Sequence, residues 1–328
     1  MTDPDRMARP WQHASPALVV HADWSADARK RWMTIARPDA GAWRVEAPQP
    51  VGPLPTLLDR LLDLVRGGGV LLGLDLPIGV PRAWAVGRGE RDFPAFLRGL
   101  PAGDAFGQVC ETLGEVSRDR PFYPRRPVRG ITRAAYLAAL GLPHADALRR
   151  HCDHATRERP AAAPLFWTVG AQQVGKAALT GWCELLAPAL RADPPRVRLW
   201  PFEGTLAALV APGTVVVAET YPAEALRQIG VRLGGSKRSA SVRAVAGPAV
   251  CGAMERLGAA PSPALAACLA AGFGTDAAGE DRFDSLVGCL GMLAVVTGAR
   301  PAHGPGDGME RAWEGWILGL DPGHLVPA

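Results

Sequence analysis

Apolar and alternating stretches near the start of the chain predict three strands. Residues 17–23 form a largely apolar run that ends in an acid. Residues 31–37 and 42–47 alternate between apolar and polar positions, and the Pro-Asp-Ala-Gly sequence between them is typical of a turn. Three strands in succession with short connections predict an antiparallel meander.

The following segments predict a helix and several parallel strands. Residues 54–65 carry leucine and valine at helical spacing, and a run of three glycines ends this helix. Residues 70–75 are apolar up to a final acid, and a fully apolar strand after a helix is typical of the buried, parallel part of a sheet. Residues 196–201 and 214–219 predict two more strands, and the second of them also ends in an acid.

The remaining chain divides into an insertion and two tails. Residues 84–164 are irregular and rich in proline, glycine and arginine, with a helical piece near residues 133–140. We interpret this stretch as a long insertion after the fourth strand of a single domain that covers residues 17–298. Residues 1–16 are expected to form a flexible tail, and residues 299–328 a second tail with a short helix.

Composition narrows the class of protein only slightly. The 328 residues are 48% hydrophobic and 21% charged, which is ordinary for a globular domain. A net charge of +4 is too small to indicate a nucleic-acid partner by itself. The six cysteines form no C-x-x-C pair and are expected to be reduced.

Without a signal-peptide pattern or an apolar run long enough for a bilayer, we expect a cytoplasmic protein with no membrane contact. The sequence does not indicate its oligomeric state.

Five acidic residues form the candidate functional site. Asp23, Asp75 and Glu219 each end a predicted strand, and Asp281 and Asp284 lie three residues apart at the start of a late apolar helix. Because the carboxyl ends of parallel strands share one edge of a sheet, these groups are expected to meet there. Clustered carboxylates repel one another unless a cation neutralises them, and their oxygens suit Mg²⁺ or Mn²⁺. Any one of these acids alone is more simply explained as a turn or helix cap, whereas three acids at strand ends together with an acidic pair favour a metal site.

A pair of such ions, roughly 3.5–4 Å apart, is a known arrangement for hydrolysing phosphodiesters. The sequence therefore predicts two divalent ions and an Mg²⁺- or Mn²⁺-dependent hydrolase, either a nuclease or a phosphodiesterase, that acts on a nucleic acid or a nucleotide.

The order of these elements resembles the ribonuclease H-like superfamily. More narrowly, four short motifs resemble the DUF429 family, described as predicted nucleases of that fold: HADWS at residues 21–25, GLDLPIG at 73–79, ETYPAE at 219–224 and DRFDSLV at 281–287. The resemblance implies an α/β fold with a mixed sheet, in which a three-strand antiparallel meander continues into parallel strands flanked by helices. It also implies that the five acids named above are the metal-binding residues. The long insertion departs from the compact linkers of that superfamily.

Basic residues supply candidate contacts to a substrate phosphate. Six arginines lie between Ser117 and Arg133. Of these, Arg125 and Arg126 are candidates, and the adjacent Phe122 and Tyr123 are candidates to stack on bases. The alternative for this stretch is a solvated basic loop.

Three further basic candidates come from other parts of the chain. Lys237 and Arg243 precede or open a helix, where a phosphate is favoured, and the resemblance makes a lysine after the ETYPAE segment plausible. Lys176 ends a sequence similar to a P-loop, residues 170–176, although Ala177 stands where that motif needs serine or threonine.

Two alternatives to a nuclease remain open at the level of sequence. The first is a nucleotide-binding phosphotransferase or ATPase that uses residues 170–176. The second is a non-catalytic module of the same fold that binds nucleic acid or a protein partner.

Overall fold

An eight-stranded mixed sheet organises the computed structural model, which describes residues 15–130, 132–169, 174–306 and 308–325. The strands are β1 (Leu18–Asp23), β2 (Trp32–Asp39), β3 (Ala42–Val45), β4 (Gln49–Pro50), β5 (Val70–Leu74), β6 (Val197–Leu199), β7 (Val215–Glu219) and β8 (Ala259–Pro261). Their order across the sheet is β6-β7-β5-β1-β2-β3-β8, and β4 pairs with β2.

The sheet is antiparallel on one side and parallel on the other. β2 runs antiparallel to both β1 and β3, and the hairpin between β2 and β3 turns through Ala40 and Gly41, both with positive φ. Two successive residues of positive φ match the right-handed twist of the flanking strands. β5 runs parallel to β1, and β7 runs parallel to β5 and β6. The predicted meander and its continuation into parallel strands are confirmed.

Helices cover both faces of the sheet. They are α1 (Leu57–Asp63), α2 (Arg82–Ala85), α3 (Phe93–Gly99), α4 (Arg133–Leu140), α5 (Val174–Gly181), α6 (Ala187–Arg191), α7 (Leu206–Leu209), α8 (Pro222–Gln228), α9 (Ala240–Arg256), α10 (Pro263–Ala270) and α11 (Gly279–Val296). Within the described part of the chain, no helix combines the length and the apolar character needed to cross a membrane. The predicted α/β class, with a mixed sheet flanked by helices, is confirmed.

Alternate strand residues feed two separate hydrophobic clusters, because successive side chains of a strand point to opposite faces. Val20 and Leu72 pack in the cluster that includes residues of α1, α3, α5 and α6. Val19 and Leu71 pack in the cluster that includes residues of α8, α9, α10 and α11. The sheet is thus buried on both faces, which leaves its edge at the strand ends as the place where polar side chains can gather.

Aromatic packing joins the predicted insertion, residues 84–164, to the first cluster. The ring of Phe106 lies 5.5 Å from that of Trp84 and 5.5 Å from that of Phe122, measured between centroids. Phe122 and Tyr123 are fully buried. The expectation that these two rings stack on bases is therefore wrong, because both belong to the hydrophobic core.

The segment at residues 308–325 packs against the end of β7, although the sequence predicts it as a tail. Trp316 and Ile317 are buried, and the backbone N–H of Leu318 donates to the carbonyl oxygen of Glu219 at 2.9 Å. The sequence does not predict this packing, because the segment is rich in glycine and proline and its contacts are distant in the chain.

Candidate functional site

Asp23 and Asp75 lie side by side at the ends of two neighbouring parallel strands. Ala22 of β1 is in register with Leu74 of β5, and the backbone N–H of Asp75 donates to the carbonyl oxygen of Ala22 at 3.0 Å. The parallel register therefore brings the two carboxyl groups to neighbouring positions at this edge of the sheet.

Asp284 reaches the same edge from the second turn of α11, which packs across β1 and β2. Ser285, the next residue, holds the helix in place: its carbonyl oxygen lies 3.0 Å from His21 Nδ1, and its hydroxyl lies 2.9 Å from the hydroxyl of Thr34. These contacts place Asp284 beside Asp23, since His21 is two residues before Asp23 on the same strand.

Burial and mutual repulsion shape the protonation of this cluster, which we call the carboxylate cluster: Asp23, Asp75 and Asp284. Burial, and then the charges of Asp284 and Asp75, raise the pKa of Asp23 well above its usual value. Burial and the charge of Asp284 raise the pKa of Asp75 to about 7. Burial also raises the pKa of Asp284, to about 6, although Lys237 opposes the shift. Without a cation the three groups therefore keep their protons to higher pH than ordinary carboxylates do.

Lys237, a predicted phosphate-binding residue, contacts the carboxylate cluster directly. Its Nζ donates to Oδ2 of Asp284 and lies 3.4 Å from Oε1 of Glu280. Burial opposes the charge of Lys237, yet Asp284 raises the pKa of this ammonium above its usual value. Oδ1 of Asp284 is buried and has no hydrogen-bond partner among the described residues. A buried carboxylate oxygen without a partner, beside two other carboxyls, fits a hard divalent cation.

Asp281 lies farther out than the carboxylate cluster. It is half-buried, one turn before Asp284 on α11. Burial raises its pKa, and the charge of Lys30 opposes that shift. Asp281 is therefore near the cluster but more open to solvent.

Glu219 lies at the same edge but in a different environment. It ends β7 and is buried, and its Oε2 accepts a hydrogen bond from the backbone N–H of Ile78 at 2.7 Å. Both of its oxygens also accept hydrogen bonds from the guanidinium of Arg150, which the insertion supplies. Burial raises the pKa of Glu219, and Arg150 opposes the shift. The five predicted acids thus reach one edge, but an arginine neutralises one of them.

Sequence analysis did not identify Arg150 as the partner of Glu219. Cys152, Asp153 and Glu219 present ligand-type atoms within 4.8 Å of one another, and all three are buried. By spacing alone this group could hold a metal ion. Among the described residues, no other group of three potential ligands lies this close together. The side chains of the carboxylate cluster would therefore have to move closer to one another to bind an ion.

An open cavity of about 580 Å³ lies over this edge of the sheet. Asp75 and Glu219 line it, and so do three lysines from different elements, Lys30, Lys176 and Lys237. Carboxylates in the wall with ammonium groups around them suit a ligand that carries both a metal ion and phosphate oxygens.

The other basic residues predicted to contact phosphate lie elsewhere. Arg243 is buried and donates to the backbone carbonyls of Gly272 and Gly274, so it acts inside the protein. Arg125 and Arg126 are exposed outside the cavity, and Arg125 pairs with an exposed glutamate. Arg243 is therefore placed to stabilise the fold.

Of the P-loop-like sequence, residues 170–173 lie outside the described residues. Lys176, which follows them, lines the cavity and donates to the carbonyl oxygen of Arg125 at 3.4 Å. The nucleotide-binding hypothesis for this sequence stays a prediction.

Comparison with known proteins adds no family to this description: no family model matches the chain, and no curated protein or solved structure matches it either. Functional inference therefore depends on the carboxylate cluster, the lysines and the cavity between them.

Proposed function

We propose that the chain is a metal-dependent phosphodiesterase, with a nucleic acid or a nucleotide as its substrate. The observation that carries the proposal is the convergence of Asp23, Asp75 and Asp284 from three separate elements, where one buried carboxylate oxygen has no hydrogen-bond partner in the described part of the chain. Burying like charges destabilises a protein unless a ligand compensates them, so such a cluster favours a cation site.

The proposed fold is ribonuclease H-like. Three antiparallel strands followed by a helix, a parallel strand and further helices support this proposal, together with the motifs that carry the acids. The long insertion would then be an addition that forms one wall of the cavity.

Mg²⁺ or Mn²⁺ would be held by Asp23, Asp75 and Asp284, all of which offer hard oxygen ligands. When bound, the ion would supply Lewis acidity and a water molecule of lowered pKa. The side chains of Lys30, Lys176 and Lys237 would attract the phosphate and orient it over Asp75. Lys237 also holds Asp284 through a direct hydrogen bond, so it would link the phosphate to the metal site.

Cleavage assays with labelled RNA, DNA and nucleotides, with and without Mn²⁺, test the proposal. The wild-type protein should cleave at least one substrate class only when Mn²⁺ or Mg²⁺ is present. Asp23→Asn should lower that activity by on the order of a hundredfold, as expected when a metal-binding carboxylate is lost. Asp39→Asn is the matched control, since Asp39 lies at the exposed end of β2 and pairs with Arg44.

Circular dichroism confirms that each variant is folded before its activity is compared. Equal activity in wild type and Asp23→Asn, or no metal-dependent cleavage of any substrate by the wild type, would refute the proposed function.

A further inference from the structure

Arg150 uses every donor of its guanidinium inside the protein. Nε and Nη2 donate to Asp153 at 3.0 and 2.8 Å, and Nη1 and Nη2 donate to Glu219 at 2.5 and 2.7 Å. Nη1 also donates to the carbonyl oxygen of Glu314 at 3.2 Å. A guanidinium has five N–H groups, so none is left for a substrate. The side chain is completely buried.

This arrangement fixes a positive charge at the position where Glu219 would otherwise bind a cation. Both oxygens of Glu219 accept from Arg150, and Oε2 accepts from the backbone N–H of Ile78 as well. A metal ion on Glu219 would have to displace the guanidinium, and a buried arginine stripped of its partners is strongly unfavourable.

The carboxylate cluster contrasts with this pair. The charged groups that act most strongly on Asp23 are the acids Asp284, Asp75 and Asp281 and, with opposite sign, Lys237. Asp284 keeps one buried oxygen without a partner among the described residues. The three acids of the carboxylate cluster therefore share one ammonium, that of Lys237, whereas both oxygens of Glu219 are bonded to Arg150.

The group formed by Cys152, Asp153 and Glu219 does not change this conclusion. Its spacing could hold a metal ion, but Arg150 already bonds to two of its three members. The third, Cys152, is buried beside them, so an ion bound to this group would have to displace the guanidinium from both acids.

We propose that Arg150 takes the place of a second divalent cation, so that each chain binds one Mg²⁺ or Mn²⁺, at Asp23, Asp75 and Asp284, instead of the two ions that the sequence pattern predicts. The inference rests on the proposed function, because it concerns the same site. Arg150 acts as a positioning residue: it lies in the wall of the cavity, but its N–H donors are all used inside the protein, where they neutralise Glu219 and hold it.

Counting bound Mn²⁺ tests this inference without measuring activity. The full chain is titrated with Mn²⁺, and free Mn²⁺ is followed by its electron paramagnetic resonance signal. The wild type should bind one ion per chain. Asp75→Asn should weaken that binding at least about tenfold, and Glu219→Gln, which keeps the shape of the side chain, should leave both number and affinity within about threefold of wild type.

The outcomes separate the inference from the proposed function. Two ions per chain in the wild type, or a clear loss of affinity in Glu219→Gln, would overturn the inference while leaving a metal-dependent enzyme intact. No bound Mn²⁺ would overturn both. If Glu219→Gln does not fold, the count in the wild type still decides between one ion and two.

Discussion

The imidazole of His21 on β1 lies against the backbone of Gly288 on α11, where an added Cβ would come within 2.2 Å of the ring. His21 Nδ1 is 3.0 Å from the carbonyl oxygen of Ser285, which can only accept, so Nδ1 carries the proton. Burial lowers the pKa of His21 to about 4, and the ring is therefore neutral at pH 7. This close approach sets the distance between α11 and β1, and with it the placement of Asp284 beside Asp23.

Gly288→Ala should destabilise the protein and weaken its metal site. The new methyl group would overlap the His21 ring, and overpacking of this kind typically lowers the free energy of unfolding by about 1–3 kcal/mol. Moving α11 away from β1 would also separate Asp284 from Asp23, so Mn²⁺ affinity should fall. Urea unfolding measures the first effect and Mn²⁺ titration the second.

Gly252→Ala is the matched control for this substitution. Gly252 lies inside α9, and an added Cβ there would meet only the Arg256 side chain, at 3.7 Å. Replacing glycine by alanine within a helix stabilises by roughly 0.5–1 kcal/mol when there is room. If Gly288→Ala were as stable as wild type, the proposed role of the His21–Gly288 contact would be wrong.

Local pattern was sufficient to predict the part of the site that lies on the sheet. The apolar runs ending in Asp23, Asp75 and Glu219 correspond to β1, β5 and β7, and parallel pairing then brings strand ends together. Arg150 could not be found in this way. It lies 69 residues before Glu219, in an irregular segment where no periodicity relates a side chain to the sheet.

The same limit explains the error at Phe122 and Tyr123. Both rings lie within a basic stretch that sequence alone favours as exposed. Only packing makes them part of the core, Phe122 against Phe106 and Tyr123 against Tyr136. Burial of single aromatic residues outside periodic elements depends on contacts that are distant in the chain.

Stability in the absence of divalent cations should fall as pH rises, and Asp75→Asn should reduce that fall. The pKa of Asp75 is raised to about 7 in the folded protein, against an unfolded value of about 3.9. Between these two pKa values the folded state holds a proton that the unfolded state has released. The stabilisation from this proton is complete below about pH 4 and is lost as the pH rises through about 7. The raised pKa values of Asp23 and Asp284 also make stability fall as pH rises, whereas the charge of Lys237 lowers both pKa values and so reduces the effect.

Urea unfolding in EDTA at pH 5 and pH 8 measures this effect. The loss of stability between the two pH values should be smaller in Asp75→Asn than in wild type, and unchanged in Asp39→Asn. An identical pH dependence in wild type and Asp75→Asn would show that the carboxyl of Asp75 is not perturbed in the folded state.

Lys237→Met should tighten Mn²⁺ binding. The ammonium of Lys237 binds Oδ2 of Asp284, so it competes with a cation for that carboxylate and repels it. Removing it should increase Mn²⁺ affinity by about tenfold. The corresponding change in binding free energy is a modest fraction of the electrostatic interaction between two charges in direct contact. The titration is best done at pH 8, where protons compete less for Asp284, whose pKa is raised to about 6 in the wild type.

Lys30→Met serves as the comparison for Lys237→Met. Lys30 is an exposed lysine that lines the same cavity, and it makes no hydrogen bond to Asp284 among the described residues. Its loss should change Mn²⁺ affinity much less. Weaker binding in Lys237→Met would mean that this lysine organises Asp284 for the metal and does not compete with it.

Arg243→Ala should unfold the protein far more readily than Arg238→Ala, although sequence alone makes Arg243 a phosphate-binding candidate. Arg243 is 1% exposed and donates to the carbonyl oxygens of Gly272, Lys237 and Gly274 at 2.8, 2.5 and 2.6 Å. Leaving these carbonyls without a donor should lower the free energy of unfolding by about 2–4 kcal/mol. Arg238 is 78% exposed, and its loss should change stability by no more than about 0.5 kcal/mol.

Urea unfolding of the two variants, followed by cleavage assays on the folded fraction, separates a structural arginine from a substrate-binding one. A structural role leaves KM per folded molecule near the wild-type value, because Arg243 does not line the cavity. If Arg243→Ala were as stable as wild type but had a strongly raised KM, the side chain would have to reach the phosphate, and the loop carrying Lys237 would have to open for it to do so.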